Sequence, residues 1–414
     1  MKKSKKKFVL AGLVLLAITM VLLPLSGCKN DSVPETPKYQ VTFDVGGNRE
    51  ATAPASITVE SGATLTAEQV PALSDTSSYQ FLGWYLGDTK IGAGYTVREP
   101  VTVTARWQGT NLTFTAEGEQ SLTIRAVELM EIPDSMVYST DGGKSWSKPE
   151  VDIPIPFGNG TKLYLRAKSS IGTAENSHAC LNFQFGTEVK VACSGDIRTL
   201  VDYTNPTGVD TANARFCYLF SACTSLTQAP ELPATILVDL CYYGMFSGCT
   251  GLTQAPELPA TTLADGCYFE MFSGCTGLTQ APELPVETLA DSCYSLMFSG
   301  CTSLTQAPEL PATILTDSCY SNMFSGCTGL TQAPKLPATT LVDSCYQSMF
   351  SGCENLKSVT MLATNVSASN ALYNWLNGTK EGGTLYVANE SMTTDPTIID
   401  SLWTGWTVEV AATN

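Results

Sequence analysis

Histidine is almost missing from this sequence, because His178 is its single example. Zinc sites built on several imidazoles are therefore excluded, and a Ser-His-Asp triad would depend on this one residue. The neighbouring Asn176 and Ser177 predict an exposed loop around it. We expect no resident metal, no cofactor and no enzymatic activity.

Positive charge is also scarce, with 23 Lys and Arg against 39 Asp and Glu and a formal charge of −16. Residues 1–27 hold five of the Lys and no acid, which leaves 18 basic against 39 acidic residues, about −21, in the remainder. Such a chain disfavours nucleic-acid phosphates and anionic lipid headgroups as partners. Charged residues make up only 15% of 414 residues, and Gly and Pro are plentiful, which is typical of a folded, turn-rich protein of several domains.

One long hydrophobic run is present, at the start of the chain. A lysine-rich segment, Lys2–Lys7, precedes the uncharged run Phe8–Leu25. The residues that follow, Leu25-Ser26-Gly27-Cys28, resemble the lipobox of bacterial lipoproteins. The resemblance implies a signal peptide over residues 1–27, and a lipidated Cys28 with a tether over residues 28–38 that attaches the protein to a membrane. The alternative is an uncleaved transmembrane anchor.

Residues 39–108 predict a first β module, since Val41-Thr42-Phe43-Asp44 and the segment before Trp107 alternate apolar and polar residues. These segments, with Phe81-Leu82-Gly83-Trp84-Tyr85 and Thr104-Ala105-Arg106-Trp107, resemble the internalin B-type (Listeria–Bacteroides) repeat. The resemblance implies a β-grasp-like module that serves as a stalk or weak binder. We expect Trp84 and Trp107 to form its core rather than a platform for sugars.

Residues 109–214 predict a second β module. Leu112–Thr115, Leu122–Ala126 and Lys162–Ala167 have half-buried strand patterns, separated by turn signals. A small β-sandwich-like domain is the expected outcome. Its Cys180 and Cys193 are a candidate disulfide pair.

Residues 215–358 repeat with a period of 26. Two columns of cysteine keep this spacing, Cys223, Cys249, Cys275, Cys301, Cys327 and Cys353 in one, and Cys241, Cys267, Cys293, Cys319 and Cys345 in the other. A fixed period of this length predicts stacked supersecondary units, and residues 359–414 are expected to cap the last one.

The pattern of each unit predicts a short strand. In the repeat that begins at Cys249 it lies near Thr253–Ala255 and is ended by Pro256. Asp265 is predicted to begin a short helix or turn that Gly274 closes. The segment Phe272–Leu278, with the sequence FSGCTGL, resembles the BspA-like family of leucine-rich-repeat surface proteins. The resulting fold class is mostly β with short helices: a leucine-rich-repeat-type solenoid preceded by two small β domains.

The remaining chemistry is ambiguous. Without Cys28, 14 cysteines remain, which allows seven disulfides but also fits buried free thiols, and Cys249 could reach Cys275 on the next coil. A helix would separate Cys267 and Cys275 too far for a bond. Ser139–Trp146 resembles the Asp-box of sialidase propellers, but a single copy fits a hairpin turn.

Two columns in the repeats form the candidate partner-binding surface: Gln228, Gln254, Gln280, Gln306 and Gln332, and Glu231, Glu257, Glu283 and Glu309. Both columns also fit less specific roles, the Gln side chains as a hydrogen-bonding ladder and the Glu side chains as a solvated face. We expect an outer-membrane lipoprotein, exposed at the cell surface, whose repeat solenoid binds a protein partner in adhesion. Glycan binding and a structural envelope role are the alternatives, and the surface location comes from the family resemblance.

Overall fold

The computed structural model describes residues 36–46, 51–75, 79–87, 89–109, 111–128, 130–206 and 213–412. Within these ranges the chain is mostly β, with two short α-helices. The predicted signal peptide and the predicted lipidation site Cys28 lie outside the described residues. In the ranges that are described, no helix has both the length and the apolar character needed to cross a bilayer.

The first sheet contains five strands in the order β2-β1-β5-β3-β4. They are β1 (Lys38–Asp44), β2 (Ile57–Glu60), β3 (Tyr79–Leu86), β4 (Thr89–Ile91) and β5 (Val101–Gly109). Strands β1 and β5 run parallel, and the other neighbours are antiparallel. Trp84 and Trp107 are buried, and their indole N–H groups donate to the carbonyls of Pro71 and Val45. Both rings therefore belong to the core, as expected.

Two further sheets pack against each other after the first module. Their strands are β6 (Leu112–Ala116), β7 (Glu119–Ala126), β8 (Val137–Ser139), β9 (Ile155–Gly158), β10 (Leu163–Arg166), β11 (Leu181–Phe185), β12 (Val191–Ser194) and β13 (Leu226–Gln228). The orders are β13-β12-β6-β10-β8 and β11-β7-β9. Phe114 on β6 meets Phe183 on β11 with the ring centroids 6.2 Å apart, so apolar faces of the two sheets share one core.

The second module is continuous with the repeats. Strand β13 belongs to the first repeat, and it pairs in parallel with β12. Two backbone bonds extend the join, from Glu231 N–H to the Gly195 carbonyl and from Ile197 N–H to the Glu231 carbonyl. The helix α1 (Thr199–Asp202) follows. Because the first coil would otherwise expose a strand edge and apolar side chains, the second module acts as its cover.

The repeats are built from turns, so of the two alternatives predicted after Asp265, a short helix or a turn, the turn is confirmed. Gly266, Glu270 and Gly274 have φ of +58°, +55° and +70°, a left-handed conformation every fourth residue that a right-handed helix cannot contain. The backbone N–H groups in this segment alternate between two kinds of acceptor. Every second N–H donates to the carbonyl three residues earlier in the same coil, and the others donate to carbonyls of the next coil, as from Phe272 to the Met297 carbonyl at 2.9 Å.

The predicted strand near Thr253–Ala255 is reduced to isolated parallel bridges in the central repeats, such as Gln254 to Gln280. Pro256 follows two residues later, so the ladder cannot continue through its missing N–H. At the C-terminal end of the stack, regular pairing returns in the strands β14 (Lys335–Leu336), β15 (Ser358–Met361), β16 (Thr384–Val387) and β17 (Thr407–Val410). All neighbours in this sheet are parallel.

Two aromatic columns run through the core of the repeats. The Phe rings stack at centroid distances of 5.5 to 5.8 Å, and they are Phe220, Phe246, Phe272, Phe298, Phe324 and Phe350. The second column stacks at 5.8 to 6.1 Å, and it contains Phe216, Tyr242, Tyr268, Tyr294, Tyr320 and Tyr346. These ladders fit a solenoid, because each side chain meets its counterpart one period later.

The C-terminal residues cover the end of this stack. The Phe column ends on Trp375, which is buried and tilted against Phe350. The helix α2 (Pro396–Ser401) lies over it, with the Trp375 indole N–H donating to the Ser401 hydroxyl at 3.1 Å. Ile398 and Trp406 are buried in the same core. The segment therefore closes an apolar end, as a cap is expected to do.

Candidate functional site

The predicted Gln column lies on the outside of the stacked repeats. All five of its members, Gln228, Gln254, Gln280, Gln306 and Gln332, are exposed. Parallel backbone bridges join Gln254 to Gln280 and Gln306 to Gln332, which fixes their spacing. Among the described residues their carboxamides make no hydrogen bond with the protein, so both donors and acceptors of each side chain remain available to a partner.

The Thr residues directly before the Gln residues make the inter-coil hydrogen bonds that were the alternative role predicted for the Gln side chains. The Thr279 hydroxyl donates to the Thr253 carbonyl at 3.3 Å, and Thr331 does the same to Thr305. The backbone N–H of Thr279 also donates to Thr253. Because these hydroxyls bind the coils together, the Gln side chains beside them are not needed for that purpose.

The Glu column is only partly uniform. Glu257, Glu283 and Glu309 are exposed, whereas Glu231 is half-buried at the join with the second module. Exposed Lys335 replaces Glu in the next repeat, as the sequence shows. Like charges on adjacent coils repel each other unless water or a cation separates them, so this column favours partners with positive charge.

A groove lies between the first two coils, beside Glu231 and Glu257. It has a volume of about 320 Å³, and it is lined by Ala229, Pro230, Glu231, Leu232, Pro233, Pro256, Glu257 and Pro259. The rigid Pro rings keep its shape, since they fix the backbone dihedral φ. We call the exposed Gln column, the Glu column and this groove the polar strip.

His178 and the Asp-box-like segment lie apart from the polar strip, in the second module. His178 is exposed, in a loop where its backbone N–H donates a hydrogen bond to the Asn176 side chain. Asp141 accepts hydrogen bonds from the Ser145 side chain and backbone and from Ser139, which lower the pKa of its carboxyl. The segment closes a hairpin in which Tyr138 and Ser147 pair, so it is a structural turn, as expected.

The described cysteines are free and buried. The proposed pair is wrong, because Cys180 packs with Cys217 while Cys193 belongs to the main core. In the repeats, the Cys249 thiol donates to the Phe220 carbonyl at 3.0 Å instead of bonding to Cys275. Burial raises the pKa of Cys275 to about 12, so this thiol is neutral and unreactive at physiological pH.

The prediction that Asp265 caps the segment that follows it is wrong. The Asp265 carboxylate accepts the N–H of Asp291 on the next coil at 3.1 Å, not the N–H groups of a helix that begins there. The same column contains Asp239, Asp291, Asp317 and Asp343, all of them exposed. The period of 26 contained this signal, because an Asp at every repeat has a counterpart one coil away with which it can bond.

The sequence pattern also did not predict two exposed aliphatic side chains on the repeats. Ile236 and Ile314 are 60% and 77% exposed, in a column whose other members are Thr262, Thr288 and Thr340.

Among the described residues, no group of three or more His, Cys, Asp or Glu side chains is arranged to hold a metal ion. Comparison with protein-family models, with curated proteins and with solved structures finds no match to this chain.

Proposed function

We propose that this chain is a lipid-anchored bacterial surface protein that binds a macromolecular partner in adhesion, through the polar strip. Its repeats would form a leucine-rich-repeat-type solenoid of the BspA-like kind, carried by a β-grasp-like and a β-sandwich-like module. The observation that carries the proposal is the Gln column: five exposed carboxamides, on successive coils, with no bond to the part of the chain that the structure describes. A regular row of unused donors and acceptors suits an extended partner.

Rigidity supports the same proposal. Inter-coil backbone bonds and the stacked rings hold neighbouring Gln residues at a fixed separation. A partner that bonds to several of them loses little affinity to ordering of the protein, because the positions are set before binding.

The location is tested by digesting intact cells with a protease and following the chain with an antibody. Loss of the chain from intact cells supports surface display. Protection until the envelope is broken contradicts adhesion and favours the structural role in the envelope.

The binding surface is tested with a triple variant, Gln254→Ala, Gln280→Ala and Gln306→Ala, displayed on cells that are applied to an epithelial monolayer. The matched control is the triple change of Thr262, Thr288 and Thr340 to Ala, which alters an exposed column whose hydroxyls make no bond in the described structure. Adhesion is expected to fall to background in the Gln variant and to persist in the Thr variant. Equal adhesion of the two variants contradicts a role for the Gln column.

A further inference from the structure

The C-terminal end of the stack contains a cleft of about 680 Å³ between the last coil and α2. This volume falls within the roughly 300–1,000 Å³ that is common for small-ligand sites. The last coil contributes Asn370, Tyr373, Asn374 and Asn377 to its lining, and the cap contributes Asp400 and Trp403. Its floor is held by the bond from Trp375 to Ser401.

Two aromatic side chains of the cleft are unusually exposed. Tyr373 is 58% exposed and Trp403 is 36% exposed, whereas the aromatic columns of the repeats are buried. Aromatic rings with a polar atom at one edge are suited to surfaces that are apolar on one side and wet on the other. Their exposure on both sides of one cleft therefore indicates a ligand with apolar faces and polar edges.

The last coil also presents unpaired backbone donors. In the coil before it, the N–H groups of Ser344, Tyr346 and Ser348 donate to the carbonyls of Ser369, Ala371 and Tyr373. One period later, the N–H groups of Asn370, Leu372 and Asn374 have no acceptor among the described residues. By this register they are directed along the stack, towards the cleft where the next coil would lie. Unpaired backbone donors favour a ligand that brings oxygen acceptors.

The carbonyls of the same residues are already occupied. Asn370 accepts from the Tyr373 N–H, and Asn374 accepts from the Asn377 N–H. A peptide that adds to a sheet edge needs donors and acceptors in alternation. This edge offers donors only, so a peptide strand would leave its own N–H groups unpaired.

The side chains around the cleft complete the pattern. Asn370, Asn374 and Asn377 have carboxamides that make no bond within the described chain, and Asp400 adds a carboxylate. None of the described residues that line the cleft is Lys or Arg. Asp400 without a neighbouring cation disfavours anionic ligands. Hydroxyl groups both donate and accept, and sugar rings have apolar C–H faces, so a polyhydroxylated ligand without charge fits every group.

From these observations we propose that the cleft binds a neutral oligosaccharide, with a sugar ring against Tyr373 and Trp403 and its hydroxyls on the backbone N–H row, the Asn carboxamides and Asp400. This site is separate from the polar strip and does not depend on the adhesion proposal.

The test uses saturation-transfer NMR on the full chain, held in a phosphocholine detergent that contains no sugar. The probes are cellotetraose, mannotetraose, xylotetraose and chitotetraose, with tetragalacturonate and tetra-alanine representing anionic and peptide ligands. At least one neutral probe is expected to receive saturation, and the last two are not. Trp403→Ala and Tyr373→Ala are each expected to weaken that binding by about tenfold, which corresponds to the loss of one ring contact.

The matched control is Ile399→Ala on α2, a residue that is 45% exposed and does not line the cleft, and it is expected to bind as the unchanged chain does. Asp400→Asn keeps the shape and is expected to weaken binding without changing the unfolding temperature. The proposal is overturned if no neutral probe binds, if binding persists in both aromatic variants, or if tetragalacturonate or tetra-alanine binds in their place. Loss of adhesion in the Gln variant with intact sugar binding leaves this site unaffected.

Discussion

The thiol of Cys275 donates a hydrogen bond to the backbone carbonyl of Phe246, 29 residues earlier in the chain, at 3.1 Å. Cys301, Cys327 and Cys353 make the same contact with Phe272, Phe298 and Phe324. The period of 26 in the sequence therefore corresponds to a bond between coils in which the sulfur is both a core side chain and a weak donor. Such a thiol has a partner without forming a disulfide.

We expect these thiols to be inert in the folded chain. The described cysteines, residues 180–353, are all buried, so Ellman's reagent should leave them unmodified under native conditions and should modify all fourteen in denaturant. Mass spectrometry after alkylation, without a reducing agent, checks the same point. Cysteines that react only after reduction would show disulfides and contradict the arrangement.

Stability is expected to fall at alkaline pH. Burial raises the pKa of Cys267, Cys275 and Cys327 from 9.0 to about 12. A thiol whose folded pKa is raised contributes stability that is fully present below its unfolded pKa, and that is lost as pH rises towards the folded value, because only the unfolded chain releases the proton. The unfolding temperature should therefore decline between about pH 9 and 12. The decline should become shallower in the double variant Cys267→Ala and Cys275→Ala.

Two glycines with left-handed backbone should respond differently to alanine. Gly244 and Gly248 have φ of +56° and +74°, so each change adds about 1 kcal/mol of backbone strain. A methyl group at Gly244 collides with the Tyr218 ring, whereas at Gly248 it makes ordinary contact with the Ala222 backbone at 3.5 Å. We expect Gly244→Ala to destabilise by about 1–3 kcal/mol more than Gly248→Ala in urea unfolding. Equal losses would show that the ring moves aside without cost.

The join between the second module and the repeats contains a buried ion pair. Asp196 is fully buried and lies 2.8 Å from the Arg198 guanidinium, next to the Asp196–Glu231 bridge. Asp196→Ala removes one partner and leaves a buried charge, so we expect a loss of about 3–5 kcal/mol in the free energy of unfolding. The control is Asp134→Ala, which breaks an exposed pair with Lys148 and should leave the urea midpoint unchanged. A midpoint that is also unchanged in Asp196→Ala would contradict the role of the pair.

The sequence determined the features that repeat or alternate. The period of 26 predicted stacked units, and with them the column in which Gln254 lies beside Gln280, because identical units can stack only in register. The small size of the first module predicted that Trp84 and Trp107 would form its core. The positions of the Gln column followed from the same period, whereas its exposure is shown by the structure.

Tertiary structure alone decided the features that depend on neighbouring coils. Asp265 and Gly274 fit the two ends of either a short helix or a turn on local grounds. The turn forms because its alternate N–H groups find carbonyls on the next coil, and a helix would leave that coil unpaired. For the same reason Asp265 bonds to Asp291 rather than to its own segment. The cleft beside Tyr373 exists because α2 departs from the path of a further coil, and that departure leaves the donors of Asn370, Leu372 and Asn374 without their acceptors.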